Sequence, residues 1–174
     1  MTSTGIALGT RLRSLIEALD GDVERAYIEA GLAFRPRFTP VIQVLAAEGP
    51  LCIRDLAVRI GLSHSALSQT VSQLVARGWI RLEAGADGRQ RIAALTAQGA
   101  ADLTKLKPIW VATAHAAASL DADLGVDLEA IACQALEALH RRPFRERIAD
   151  AVQPSPSGGL SRAAAVFWTP LDQS

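Results

Sequence analysis

A mainly α-helical fold with one small β-hairpin is predicted by three features of this sequence. Apolar residues recur at steps of three and four along most of the chain. Two short helical segments, 53–60 and 63–77, flank a tight turn containing Gly61, which is the helix-turn-helix pattern. Directly after them the apolar period drops to two on both sides of an Asp87-Gly88 turn signal, which predicts a hairpin. A hairpin in that position is a wing. The fold class is therefore a winged helix-turn-helix with further helices on either side. The 174 residues, 49% hydrophobic and 21% charged, suffice for one compact core and exclude global disorder.

Taken in order, Leu8, Leu12, Leu15, Ile16, Leu19, Val23, Ala26 and Tyr27 form the stripe of a long amphipathic helix over about 7–30, ending at Gly31. A connector containing Pro36 follows. Thr39-Pro40 reads as an N-cap with proline at the first helical position, and Val41, Val44 and Leu45 are the apolar stripe of that second helix. Ile53, Leu56, Ala57 and Ile60 make the next helix, which stops at Gly61. Ser63 caps the one after it, and Gly78 ends that helix. In the hairpin, Ile80 and Leu82 alternate with Arg81 and Glu83, and Ile92 and Ala94 with Arg91 and Ala93. Thr96 caps a helix running towards Leu120 with Leu103, Leu106, Ile109 and Trp110 on its apolar side, and Pro108 should kink or divide it. Asp121 to Gly125 is a turn, and a last helix covers about 127–141. Residues 1–152 form the domain, with its winged core at about 38–96. Residues 153–174 are a tail with linker composition (Pro154, Pro156, Gly158, Gly159) and an apolar patch, Ala163 to Trp168, expected to dock.

Two cysteines exclude a disulfide-rich scaffold and a four-cysteine zinc site. Cys52 reads as a small cap residue and Cys133 as core or interface. His64, His115 and His140 have no metal-ligand spacing, and no Ser-His-Asp set, phosphate loop or paired catalytic carboxylates can be argued. The expectation is a non-enzyme without cofactor or metal. With neither a signal peptide nor a run of about 20 apolar residues, it is also expected to be soluble and cytoplasmic.

The helix 63–77 carries the chemistry. Ala66, Leu67, Val71, Leu74 and Val75 fall on one side, and Ser65, Ser68, Gln69, Ser72 and Gln73 on the other. Solvated helix faces usually carry Lys and Glu, whereas this stripe is small, polar and neutral. Such a face fits the major groove, where Gln pairs bidentately with adenine and Ser contacts bases or phosphates. An ordinary polar face is the plain alternative, and the helix alone leaves both open. The wing tips the balance. Arg89 and Arg91 flank its turn and Arg81 lies on the opposing strand; an arginine at a hairpin tip enters a narrow minor groove, and Asp87 can hold its guanidinium. Ser63 and His64, at the helix start, are placed to meet a phosphate. Arg141, Arg142, Arg145 and Arg147 suit the dipole at a helix end.

From about Phe38 to Leu103 the chain resembles MarR-type winged-helix transcriptional regulators, through IRDLAVRIGLS, ALSQTVSQLVARGWI, DGRQR and LTAQGA in the same order and spacing. The resemblance implies a homodimer whose N- and C-terminal helices interleave. It also implies that 63–77 reads the major groove of a pseudo-palindromic double-stranded DNA operator, with Arg89 and Asp87 matching the wing motif. It implies repression relieved by a small aromatic or lipophilic effector; Tyr27, Phe38, Trp110 and His115 are the candidate pocket. The sequence departs from the family at Gln69 and Gln73, where arginine is common, and at Ser72, where aspartate is. A protein-interaction module, or a small-molecule carrier without specific DNA binding, remains the alternative.

The net charge of zero hides a division. Between Gly49 and Thr96, basic residues outnumber acidic ones six to three, and the rest of the chain carries the compensating acidic excess.

Overall fold

The computed structural model describes residues 8–85 and 90–152. The elements, in order, are α1 (Leu8–Glu29), α2 (Thr39–Glu48), β1 (Leu51–Cys52), α3 (Ile53–Ile60), α4 (His64–Ala76), β2 (Ile80–Ala84), β3 (Arg91–Leu95), α5 (Ala97–Leu124), α6 (Leu128–Arg141) and α7 (Phe144–Val152). They divide into two compact units, residues 9–116 and a second unit made mainly of 117 onwards. No described helix is long and apolar enough to cross a membrane.

The first unit is the predicted winged helix-turn-helix. Its core joins Tyr27 and Phe34 to Phe38, Val41, Ile42 and Leu45, then to Leu56, Leu67, Val71, Leu74, Trp79 and Ile80, and to Leu106 of α5. Gly61 ends α3 at φ +72°, a left-handed position that costs glycine nothing, and its N–H bonds to the Ala57 carbonyl at 2.9 Å. Ser63 then caps α4, its Oγ accepting from the Ala66 N–H at 3.3 Å. The wing strands pair antiparallel with Ile80 opposite Leu95 and Ala84 opposite Arg91. The sequence did not announce β1: two residues, Leu51 and Cys52, pair with Ala93 and Ile92, making the sheet three-stranded in the order β1-β3-β2. A two-residue strand is too short for any periodicity to appear.

Other expectations are corrected. Pro108 does not divide its helix; α5 runs unbroken from Ala97 to Leu124, and so includes most of the expected turn at 121–125. Phe38, not Thr39, stands at the cap position of α2, after a 3-10 turn over Pro36–Phe38. The Thr39 hydroxyl is instead 3.0 Å from the Tyr27 hydroxyl, which accepts from the Trp110 indole N–H at 3.1 Å. A tyrosine oxygen thus joins α1, α2 and α5. Thr96 does cap α5, accepting from Gly99 N–H at 3.0 Å, and its own hydroxyl donates to the Gly78 carbonyl at 2.5 Å.

In the second unit, Asp127 caps α6 by accepting from Ala130 N–H at 2.8 Å. The last helix predicted from the sequence ends at about 141 and so misses α7, although Phe144, Ile148 and Val152 recur there at steps of four. Much of the basic cluster is used locally. Arg142 pairs with Asp150, Arg141 lies 3.7 Å from Glu137, and Arg147 donates to the Ala138 carbonyl at 3.2 Å, closing the end of α6. No residue of α6 is buried, and Cys133 is exposed, so within one chain it is not core.

Candidate nucleic-acid interface

The site begins with how α4 is seated. Leu67, Thr70, Val71 and Leu74 are buried, and they fix which face turns outward. This differs from the expected inner face in two ways. Ala66 is exposed and Val75 is 37% exposed, while Thr70 is buried, its hydroxyl donating to the Ala66 carbonyl at 3.2 Å. That internal bond lets a polar residue face the core without an unsatisfied group.

The outward face has Gln69 and Ser72 exposed, with Ser68 and Gln73 half-buried, and these four line one shallow depression. Ser72 Oγ donates to the Ser68 carbonyl at 2.8 Å, leaving its lone pairs outward. Ser63 and Ser65 hydroxyls lie 3.2 Å apart at the helix start, and His64 Nδ1 is 3.5 Å from Ser68 Oγ. Gln69 makes no hydrogen bond of its side chain among the described residues and so keeps both its donor and its acceptor. The Gln73 Oε1 is already engaged, accepting from Arg37 in the turn before α2.

Beside α4, between the start of α3 and the hairpin, lies a groove of about 510 Å³ that brings His64, Ser68 and Ser72 together with Arg54, Arg91 and one carboxylate, Asp55. At the other end of α4, the guanidinium carbons of Arg37 and Arg77 lie 5.4 and 5.3 Å from the ring centre of Phe38. Arg37, Arg54, Arg77 and Arg91 are exposed, and none has an ion pair among the described residues. Four uncompensated cations therefore flank a neutral polar helix face, an arrangement suited to a polyanion that passes over α4. Arg37, Arg54 and Arg77 were not singled out as site residues from the sequence. Only the fold brings Arg37 to Gln73, across 36 residues of chain.

Arg81 is placed differently from Arg91. Its Nε lies 2.6 Å from Glu83 Oε1 and its Nη1 donates to the Leu95 carbonyl at 2.6 Å, so it braces the hairpin. Asp87 and Arg89 lie outside the described residues. Of the four residues expected to line an effector pocket, Tyr27 and Trp110 meet through the indole N–H, at 3.1 Å from the Tyr27 hydroxyl. Tyr27 and Phe38 are 1% and 0% exposed within the core, Trp110 packs against that core, and His115 is exposed.

Residues 39–90 match the family model described as MarR family. Over 79% of this chain and 99% of the other, the structure is similar to the M. tuberculosis transcriptional regulator MOSR in complex with DNA, at 25% identity and a TM-score of 0.63. It is also similar to the PcaV transcriptional regulator of Streptomyces coelicolor in complex with its natural ligand, at 21% identity and TM-score 0.58, over 88% of this chain and 99% of that one. A mutant MarR from E. coli shares the fold at 18% identity and TM-score 0.51, over 80% and 97% of the two chains. No curated protein sequence matches the chain.

Proposed function

We propose that this chain, whose winged-helix segment is of MarR type, is a homodimeric, sequence-specific DNA-binding regulator that represses transcription until a small-molecule effector releases it. One observation carries the DNA-binding part: the uncharged outer face of α4, from Ser68 to Gln73, is flanked by four exposed arginines without ion pairs among the described residues. Phosphate contacts by those arginines position the helix, and Gln69 and its neighbours read base edges. The similarity to a DNA-bound regulator supports the same reading.

The dimer is supported by unpartnered apolar surface. Leu12, Leu15, Ile16 and Leu19 of α1 are exposed, as are Ile131, Leu136 and Leu139 of α6 and Phe144 and Ile148 of α7. Soluble proteins seldom leave such stripes uncovered, and a second copy covers them. Two α4 helices then meet half-sites about one helical turn, or 10 bp, apart on a pseudo-palindrome. Effector release rests on the family resemblance, with Tyr27, Phe38, Trp110 and His115 as the candidate pocket.

The test is to select bound duplexes from a random pool and footprint the winner. A footprint spanning two related half-sites supports the proposal. Binding with no sequence preference, or none at all, overturns it in favour of a protein-interaction module or a small-molecule carrier. If an effector acts, ligand and operator must weaken each other's binding by the same factor.

A further inference from the structure

The two glutamines on the outer face of α4 are chemically distinct, although the sequence makes them look equivalent. A glutamine reads adenine by using its oxygen and its nitrogen together: the oxygen accepts from adenine N6 and the nitrogen donates to N7. Gln69 is free to do so. Gln73 Oε1 is held by Arg37. Arginine has only donors, so it is the oxygen of Gln73 that faces it, and the amide NH₂ is the part left to present. Arg37 adds the remaining donors of its own guanidinium. Arg77 lies against the same Phe38 ring, and its Nη1 donates to the Gln73 carbonyl at 3.3 Å.

We infer that Arg37 is a specificity-determining positioning residue: by engaging and orienting the Gln73 oxygen, and adding its own donors beside the Gln73 NH₂, it makes this end of α4 rich in donors, matched to guanine rather than adenine. Guanine offers two acceptors in the major groove, N7 and O6, whereas adenine pairs its N7 acceptor with an N6 donor that a donor-rich surface disfavours. The inference rests on the proposed DNA binding and adds the base class read at one end of the recognition helix. The same donors would also suit phosphate oxygens, and the experiment separates the two.

The experiment compares duplexes selected from a random pool by the full-length wild type and by the Arg37→Ala, Arg37→Lys, Gln69→Ala and Gln73→Ala proteins. Arg37 is exposed, and its contact with the core is the stacking of its guanidinium on the Phe38 ring, so thermal unfolding of each Arg37 variant is measured alongside. The Gln73 position is the one whose preference Gln73→Ala relaxes. In the wild type that position is guanine, favoured about tenfold or more over adenine. Arg37→Ala shifts it towards adenine by freeing the Gln73 oxygen, Arg37→Lys keeps guanine, and the position relaxed by Gln69→Ala is unchanged in every Arg37 variant. Adenine at the Gln73 position in the wild type overturns the inference while leaving the DNA-binding reading intact. So does an Arg37→Ala protein that weakens all sequences equally, since that is a phosphate contact only. Failure of the wild type to enrich any sequence overturns both.

Discussion

The carbonyl oxygen of Trp79 occupies the space that a side chain on residue 99 would need. A Cβ built on Gly99 falls 2.1 Å from that oxygen and 3.1 Å from its carbonyl carbon. Trp79 is buried against Phe34, with ring centres 4.8 Å apart, and its carbonyl also accepts from Thr96 N–H at 3.1 Å. The junction between α4 and the wing is thereby pressed directly onto the first turn of α5. Because the obstacle is backbone, it cannot rotate away as a side chain would.

Gly99→Ala is therefore expected to destabilise the protein by about 1–3 kcal/mol, the usual cost of overpacking. The sign is informative, because alanine inside a helix ordinarily gains up to about 1 kcal/mol over glycine. Urea unfolding checks it, and a variant as stable as wild type would show that α5 and Trp79 are not so closely apposed.

Tyr27→Phe removes the oxygen that accepts from the Trp110 indole and meets the Thr39 hydroxyl. Those groups are part-buried, so the loss is expected at about 1–2 kcal/mol. In a double-mutant cycle with Trp110→Phe the two losses should not add, since both remove the same bond. Additive losses would mean that Tyr27 acts by packing alone.

Ser63 separates stability from binding. Ser63→Ala should cost about 1 kcal/mol by leaving the first turn of α4 uncapped. Ser63→Asp retains a cap oxygen and adds a charge that the helix dipole favours, so stability is kept. The same charge repels phosphate, and duplex affinity should fall at least severalfold in Ser63→Asp. Equal affinity for Ser63→Asp and wild type would place the DNA away from the start of α4.

The exposed apolar stripe of α1 makes a further claim on assembly. Leu15→Asp should shift the protein towards monomer in sedimentation equilibrium, and lower operator affinity with it, because one winged unit holds only half the contacts. A wild type that is monomeric at micromolar concentration would contradict the dimer.

Elements with strong local signals were readable from the sequence. The helix-turn-helix follows from Leu56 and Ala57, Gly61, Ser63 and the Leu67, Val71, Leu74 stripe, all of which act within a few residues. Strand β1 is too short for a periodic signal, whereas α7 does carry one, in Phe144, Ile148 and Val152, but over only nine residues directly after Pro143. The polar residues of α4 were identifiable because a neutral outer face is unusual. Arg37 was not, because its partner is set by tertiary packing of the turn before α2. Arg81 and Arg91 look alike in an alternating strand, yet one spends its donors on Glu83 and Leu95 and the other does not. Tyr27 and Phe38 are candidates for a pocket by position, and within one chain both lie in the core.

That difference between two arginines supplies the most direct test of the account, which holds that unpaired arginines beside α4 meet DNA phosphates. Affinity for the selected duplex should be measured between about 50 and 200 mM salt for wild type, Arg91→Ala and Arg81→Ala. The account predicts that log K falls steeply and linearly with log salt. It predicts that Arg91→Ala reduces the slope by about one per protomer, and that Arg81→Ala leaves the slope unchanged. A slope near zero for the wild type, or one insensitive to Arg91→Ala, would contradict it.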